Sequence, residues 1–198
     1  MGSAWPGAVE LADAGALGRA LCEAPMNLVP DLYVERIEDL EPRILQARGL
    51  HFLLLDVDST LKDYRAQAFA PSIVTWTHEL KRAEIGICLV SNGGEHRIAP
   101  LARQLGVPYV ARAAKPAPYG CWRALQIMAA SRRATALAGD QLLADVLAGK
   151  LAGLFTILVK PVRPELEPWF TQLKRPWERA LLRRYRRRLR FVDGMHEP

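Results

Sequence analysis

The sequence predicts an α/β domain built on a doubly wound parallel sheet. Five short apolar runs recur between residues 50 and 159, stretches of helical spacing separate them, and polar residues close most of the runs. Taken in order, residues 1–26 are small, hold several glycines and are weakly periodic, which reads as a loosely ordered arm. The first strand is LHFLLLDVD at 50–58. A helix over 71–83 follows, opened by Pro71, whose fixed φ and missing N–H suit the first helical position. The second strand, IGICLVSN at 85–92, leads to a helix over 95–105 that Gly106 closes. PYVARA at 108–113 is the third strand, and 117–130 is the third helix. ATALAGD at 134–140, a helix over 142–151 with Gly153 behind it, and LFTILV at 154–159 complete the set. Five strands alternating with four helices imply right-handed crossovers and helices on both faces of the sheet. Ligands of such sheets bind beyond the carboxyl ends of the strands, which makes the residues after each apolar run the candidates.

At 198 residues and 50% hydrophobic, the chain suffices for one domain, read as residues 27–162, followed by a basic tail over 163–198. Cys22, Cys88 and Cys121 lie far apart and form no C-x-x-C pair, which argues against a disulfide framework or a cysteine zinc site and fits the reducing cytoplasm. No basic leader precedes an apolar run, Pro6 stands where a myristoylation motif wants Ser or Thr, and no apolar stretch approaches the roughly 20 residues that cross a bilayer. Membrane contact is therefore expected to be peripheral. The net charge of +6 is unevenly placed: residues 1–159 hold 16 basic and 16 acidic side chains, whereas residues 160–190 hold 11 basic and 3 acidic. An anionic partner would be met by that C-terminal segment.

The strand-end residues form a chemically coherent set. The first strand ends in Asp56-Val57-Asp58, the second in Ser91-Asn92, and the fourth in Gly139-Asp140 with Asp145 beyond; Lys115-Pro116 precede the third helix. Singly, each has an ordinary reading as a cap, a turn residue or a solvated charge. Together they supply what cleavage of a phosphate monoester needs. The dianion repels an attacking carboxylate, so a divalent cation must screen both, and magnesium prefers oxygen ligands. Asp56 and Asp140, from neighbouring strands, can supply two of them. The backbone carbonyl of Asp58 can supply another, and Asp145 can act through water or steady Asp140. Residues i and i+2 of an extended segment share a face, so Asp56 can attack phosphorus while Asp58 reaches the leaving oxygen. Asp58 must hold a proton for the first step and lose it for the second. Lys115 and the Ser91 hydroxyl would take the phosphoryl oxygens.

DVDSTL, LVSN, KP and GDQLLAD resemble, in order and spacing, the four motifs of the haloacid dehalogenase (HAD) superfamily. The stretch from Leu28 to Val162 resembles its YqeG-like (subfamily IIIA) branch, which includes mitochondrial phosphatidylglycerophosphate phosphatases; GDQLLADV and GLFTILVKPV are the most branch-specific parts. The resemblance implies a Rossmann-like phosphatase. Asp56 would be the nucleophile that forms an aspartyl-phosphate, Asp58 the general acid and base, and Ser91, Asn92 and Lys115 the phosphate binders. Asp56, Asp58, Asp140 and Asp145 would stand at the Mg2+. Ser59 stands where the branch usually has Asn, Glu84 replaces a usual turn Gly, and Lys150-Leu151 replaces a polar pair.

Superfamily members that act on small metabolites commonly insert a cap domain after the first motif or between the second and third. Here about 30 residues separate Thr60 from Ser91, and 22 lie between Asn92 and Lys115, so neither gap has room for one. A capless site suits a phosphate carried by something large, such as a lipid headgroup, or cover by a neighbouring subunit. Residues 163–191 interleave Trp169, Phe170, Trp177 and Tyr185 with arginines, and Leu181, Leu182, Tyr185 and Leu189 fall at helical spacing. That pattern fits a basic helix lying on an anionic membrane surface. A nucleic-acid partner, or a stripe packed on the domain, are the other readings of the same residues. The function readings are accordingly a peripheral-membrane phosphatase acting on phosphatidylglycerophosphate, a phosphatase of nucleic-acid ends or soluble metabolites, and a non-catalytic RNA- or ribosome-binding module. Intact Asp56, Asp58, Lys115 and Asp140 weigh against the last.

Overall fold

The computed structural model describes residues 28–166. The expected N-terminal arm and nearly all of the basic tail lie outside the described residues. In chain order the elements are β1 (Leu32–Val34), α1 (Pro42–Gln46), β2 (Phe52–Leu55), α2 (Pro71–Arg82), β3 (Gly86–Val90), α3 (Glu95–Leu105), β4 (Tyr109–Val110), α4 (Tyr119–Ile127) and β5 (Thr135–Gly139). A π-turn over Leu142–Val146 then runs into α5 (Leu147–Ala152), and β6 (Phe155–Val159) follows. All strand pairs are parallel, in the order β1-β6-β5-β2-β3-β4.

The sheet is covered on both faces, as the run of wholly apolar strands requires. Leu53, Leu55, Ile87, Leu89, Ala136 and Ala138 pack into one buried layer with Trp76 and Leu80 of α2 and Ile98 and Leu101 of α3. Leu54, Cys88, Val90 and Leu137 point the other way, into a layer with Cys121 and Ala124 of α4 and Ala148 and Ala152 of α5. Strand alternation thus assigns every second residue to each layer. The connection from Asp56 to β3 contains loops and one helix, and that from β3 to α4 contains loops, α3 and β4, with no inserted domain in either.

Five strands were expected; among the described residues there are six. β1 is only three residues long, too short for alternation to register, and it is held at the edge of the sheet by polar contacts. The Asp31 carboxylate accepts from the backbone N and the hydroxyl of Thr156, both at 2.8 Å, and pairs with Lys150 at 2.6 Å. Lys150 therefore anchors the entry of β1. Trp76 Nε1 donates to Leu40 O at 3.0 Å and pins the segment between β1 and β2 onto α2. Two helix expectations also need correction. The helix expected over 117–130 spans Tyr119–Ile127, and the one expected over 142–151 opens as a π-turn, for a reason found in the site.

All five helices end alike. An N–H two to four residues beyond the helix bonds back five positions: Leu50 to Leu45, Ile85 to Leu80, Val107 to Ala102, Ala130 to Leu125 and Leu154 to Gly149. This closure turns the chain from helix into strand, and the residue before the bonded N–H must take a left-handed conformation. Gly49, Gly106 and Gly153 do so after α1, α3 and α5, but Glu84 (φ 60°) does so after α2 and Ala129 (φ 49°) after α4.

Candidate active site

The chain runs from β2 outward to β3 and β4, then returns to lay β5 and β6 on the other side of β2. Such a switch point opens a crevice at the carboxyl edge of the sheet. Asp56 continues β2, with its N–H donating to Ala138 O at 2.9 Å, and Asp140 directly follows β5. The pairing of Leu55 with Ala138 therefore brings these two carboxylates together. Asp145 arrives from the π-turn, where the N–H of Val146 reaches back five residues to Gln141 O at 3.2 Å. The wide turn and Gly139 make room for it. A Cβ at position 139 would fall 2.3 Å from Asp145 Cγ, so only glycine leaves that carboxyl its place.

One oxygen from each of Asp56, Asp140 and Asp145 lies within 4.8 Å of the others, and all three residues are buried. The Lys115 ammonium sits between two of them, 2.5 Å from Asp56 Oδ1 and 2.6 Å from Asp145 Oδ1. Burial pushes the Asp56 carboxyl up to about 6 against the pull of Lys115, with Asp145 and Asp58 adding to the rise. Burial alone would lower Lys115, but Asp145 and Asp56 more than offset it and hold the ammonium above its ordinary value. The three buried carboxylates form an all-oxygen donor set that fits a small hard cation such as magnesium.

Asp56, Asp58, Ser91, Asn92, Lys115 and Asp145 line one cavity of about 300 Å3, with Tyr64, Arg97 and Gln141 among its other walls. Asp140 is 3% exposed, behind that lining. The Asp58 carboxylate stands apart from the acidic cluster. Its Oδ1 takes Lys62 Nζ at 2.8 Å and Arg97 Nη2 at 3.0 Å, which leaves Oδ2 without a partner among the described residues. Buried Ser91 accepts the Gly93 N–H at 3.1 Å, so its hydroxyl proton remains to be donated. Both ends of the Asn92 amide are spent on Lys115: Nδ2 donates to its carbonyl at 3.0 Å and Oδ1 accepts its N–H at 2.8 Å. What Asn92 can still offer a phosphate is its backbone N–H.

Sequence reasoning missed three side chains that organise this cavity. Thr60 is fully buried, and its hydroxyl lies 3.2 Å from Asp56 Oδ2 and 3.1 Å from Asp140 Oδ1. Lys62 is a buried cation four residues after Asp58, and Arg97 comes from α3. The i,i+4 spacings from Asp56 to Thr60 and from Asp58 to Lys62 were the available signal. Ser59 (φ 63°), Arg112 (φ 49°) and Ala114 (φ 57°) hold left-handed backbone in the loops that carry Asp58 and Lys115, the kind of strain that gathers at functional sites.

The model of the haloacid dehalogenase-like hydrolase family matches residues 9–153. The chain belongs to that family. It is a phosphatase-type HAD enzyme: a probable phosphatase, YqeG, of Bacillus subtilis (strain 168) is 32% identical over 160 residues, covering 81% of this chain and 92% of that one. Solved HAD relatives share the fold at lower identity. The 3-deoxy-D-manno-octulosonate 8-phosphate phosphatase of Moraxella catarrhalis, in complex with a magnesium ion, a phosphate ion and a KDO molecule, superposes with a TM-score of 0.50 at 18% identity, over 61% of this chain and 75% of that one. A hypothetical protein of Xanthomonas campestris gives 0.50 at 19%, over 70% and 78%. Among the described residues no helix is long and apolar enough to cross a membrane.

Proposed function

We propose that this HAD enzyme is a magnesium-dependent phosphomonoesterase acting through an aspartyl-phosphate on Asp56. The observation that carries the reading is the single cavity lined by Asp56, Asp58, Lys115 and Asp145, with Lys115 bound to Asp56 and Asp145 and with buried Asp140 completing the carboxylate cluster. An Asp56 oxygen forms a bond to phosphorus as the bond to the leaving oxygen breaks, and Asp58 Oδ2 gives that oxygen a proton. Water then attacks the phosphoenzyme, Asp58 takes its proton, and the Asp56–phosphorus bond breaks to release phosphate. Lys115, the Ser91 hydroxyl and the Asn92 N–H hold the phosphoryl oxygens in place and offset their charge, which accounts for most of the catalysis in this class of reaction. Asp56, Asp140, Asp145 and the Asp58 carbonyl would hold magnesium, which when bound screens the phosphate dianion from the attacking carboxylate.

The substrate reading is a phosphate on a lipid headgroup, phosphatidylglycerophosphate foremost. It is supported by the uncapped cavity, by the motif resemblance to the YqeG-like branch, and by the 11 basic residues against 3 acidic over 160–190. Those residues would draw a peripheral enzyme to an anionic surface, each worth about 1 kcal/mol close to it. The test is phosphate release with magnesium from a chromogenic ester, soluble phosphates and headgroup lipid in mixed micelles. Asp56→Asn, folded by circular dichroism, should lose essentially all release, since an amide is a poor nucleophile. A tenth of wild-type activity in that variant would refute the covalent role. Truncation after Leu166 should spare the chromogenic ester and depress release from micelles; equal loss on both would refute the surface role of the tail.

A further inference from the structure

Beside the catalytic cavity lies a second, larger concavity of about 550 Å3, within the roughly 300–1,000 Å3 of ordinary ligand pockets. Lys62, Tyr64, Arg65, His96 and Arg97 are among its lining residues, and no carboxylate is. The two cavities share Tyr64 and Arg97 as a common wall. Arg97 is fixed there on both sides, its Nη2 on Asp58 Oδ1 at 3.0 Å and its guanidinium 5.1 Å from the centre of the Tyr64 ring. We propose that this groove seats a second anionic group, a phosphodiester or phosphomonoester, on the leaving group of the substrate. The inference rests on the phosphomonoesterase reading of the adjoining cavity.

Asp58 fixes the side on which the leaving group departs. A group that protonates the leaving oxygen must touch it, so the leaving group departs on the Asp58 side of the site. The side chains that grip Asp58, Lys62 and Arg97, are the ones that line the second groove. The leaving group therefore enters a space walled by three permanent cations and a histidine. The nearby carboxylates are already committed: Asp58 Oδ1 accepts from Lys62 and Arg97, and Asp63 Oδ1 accepts the Arg65 and Ala66 N–H groups at 2.9 Å. Arg65 is exposed and enters none of the ion pairs among the described residues. Arg97 spends one of its five N–H donors on Asp58, and a guanidinium fork matches phosphate oxygens. The Asp58 carboxylate can offset only one of these three positive charges, so a neutral leaving group would leave the groove with net positive charge. An anionic one completes it and places its phosphoester oxygen next to Asp58.

Steady-state kinetics on the full chain with magnesium tests this. Glycerol 3-phosphate and glycerol 1,3-bisphosphate are compared in solution, and a lipid whose glycerol phosphate headgroup hangs on a phosphodiester is compared in neutral mixed micelles. Wild-type kcat/KM should be at least 10-fold higher for the bisphosphate than for the monophosphate, mostly through KM. Arg65→Glu, a surface change that should leave folding intact, should cut that ratio fivefold or more, and Arg65→Lys should restore most of it. Parallel losses in the micelle arm would place a lipid phosphodiester in the groove; losses confined to the soluble bisphosphate would assign it to free phosphates. Equal kcat/KM for mono- and bisphosphate, or an Arg65→Glu ratio equal to wild type, would overturn the proposal while leaving the phosphomonoesterase reading in place. No turnover of any ester would overturn both.

Discussion

Thr60 has one hydroxyl proton and two carboxylates within reach, so it can bond Asp56 or Asp140 but not both at once. Its place between them sets the spacing of the two acids that the sheet has brought alongside. Removing the hydroxyl without changing the shape, as in Thr60→Val, should cost a hydrogen bond to a charged group, about 1.5–3 kcal/mol, or on the order of 10–100-fold in kcat. Far-ultraviolet circular dichroism should stay at its wild-type value. A kcat within twofold of wild type would show that the carboxylates hold their spacing unaided. Asp56, Asp58, Ser91, Lys115, Asp140 and Asp145 were legible as candidates because each closes or follows an apolar run, and the sheet rule says where such residues meet. Thr60, Lys62 and Arg97 were not. Their partners are set by how the loop after Asp58 folds back, Asp58 bridging to Lys62, and by where α3 lands, which no residue pattern encodes.

The helix ends show how local chemistry steers the path of the chain. Glycine fits the left-handed position that follows α1, α3 and α5 because it has no Cβ to meet the next carbonyl, whereas Glu84 and Ala129 meet it. For an L-residue that conformation costs roughly 1–2 kcal/mol. Glu84→Gly, which removes the Cβ at this left-handed position, should therefore stabilise the fold by about 1 kcal/mol, because Ile85 N–H still bonds Leu80 O at 3.0 Å. A urea midpoint unchanged or lowered would mean that the Glu84 side chain contributes more than its backbone strain takes away. At this scale the Pro71 start and the Gly106 and Gly153 stops were readable from sequence, since they are properties of single residues. β1 and the π-turn were not. The first is fixed by Asp31 bonding Thr156 and Lys150, more than a hundred positions further along the chain, and the second by the room that Asp145 needs beside Gly139.

Across the described fold, the doubly wound sheet gathers three buried carboxylates at one edge, and the fold holds them there by packing around them. A divalent cation that binds the folded cluster and not the unfolded chain must therefore raise stability, by about 2.7 kcal/mol at a hundred times its Kd. Millimolar magnesium should lift the melting temperature of the wild type, and Asp140→Asn should abolish most of that lift. An equal lift in both proteins would place the cation elsewhere. The two-layered core also confines Cys88 and Cys121 within the layer under α4 and α5. Burial, with a small mutual contribution at Cys88, pushes both thiols up to about 12, so neither forms the thiolate that alkylating reagents and oxidants attack. These two sulfurs are in effect a built-in clock for opening of the core. In a Cys22→Ser protein, the rate of iodoacetamide uptake at neutral pH should follow the equilibrium population of opened molecules, falling when magnesium binds and rising with urea. Uptake as fast as by a free thiol would mean that this layer breathes without the rest of the sheet.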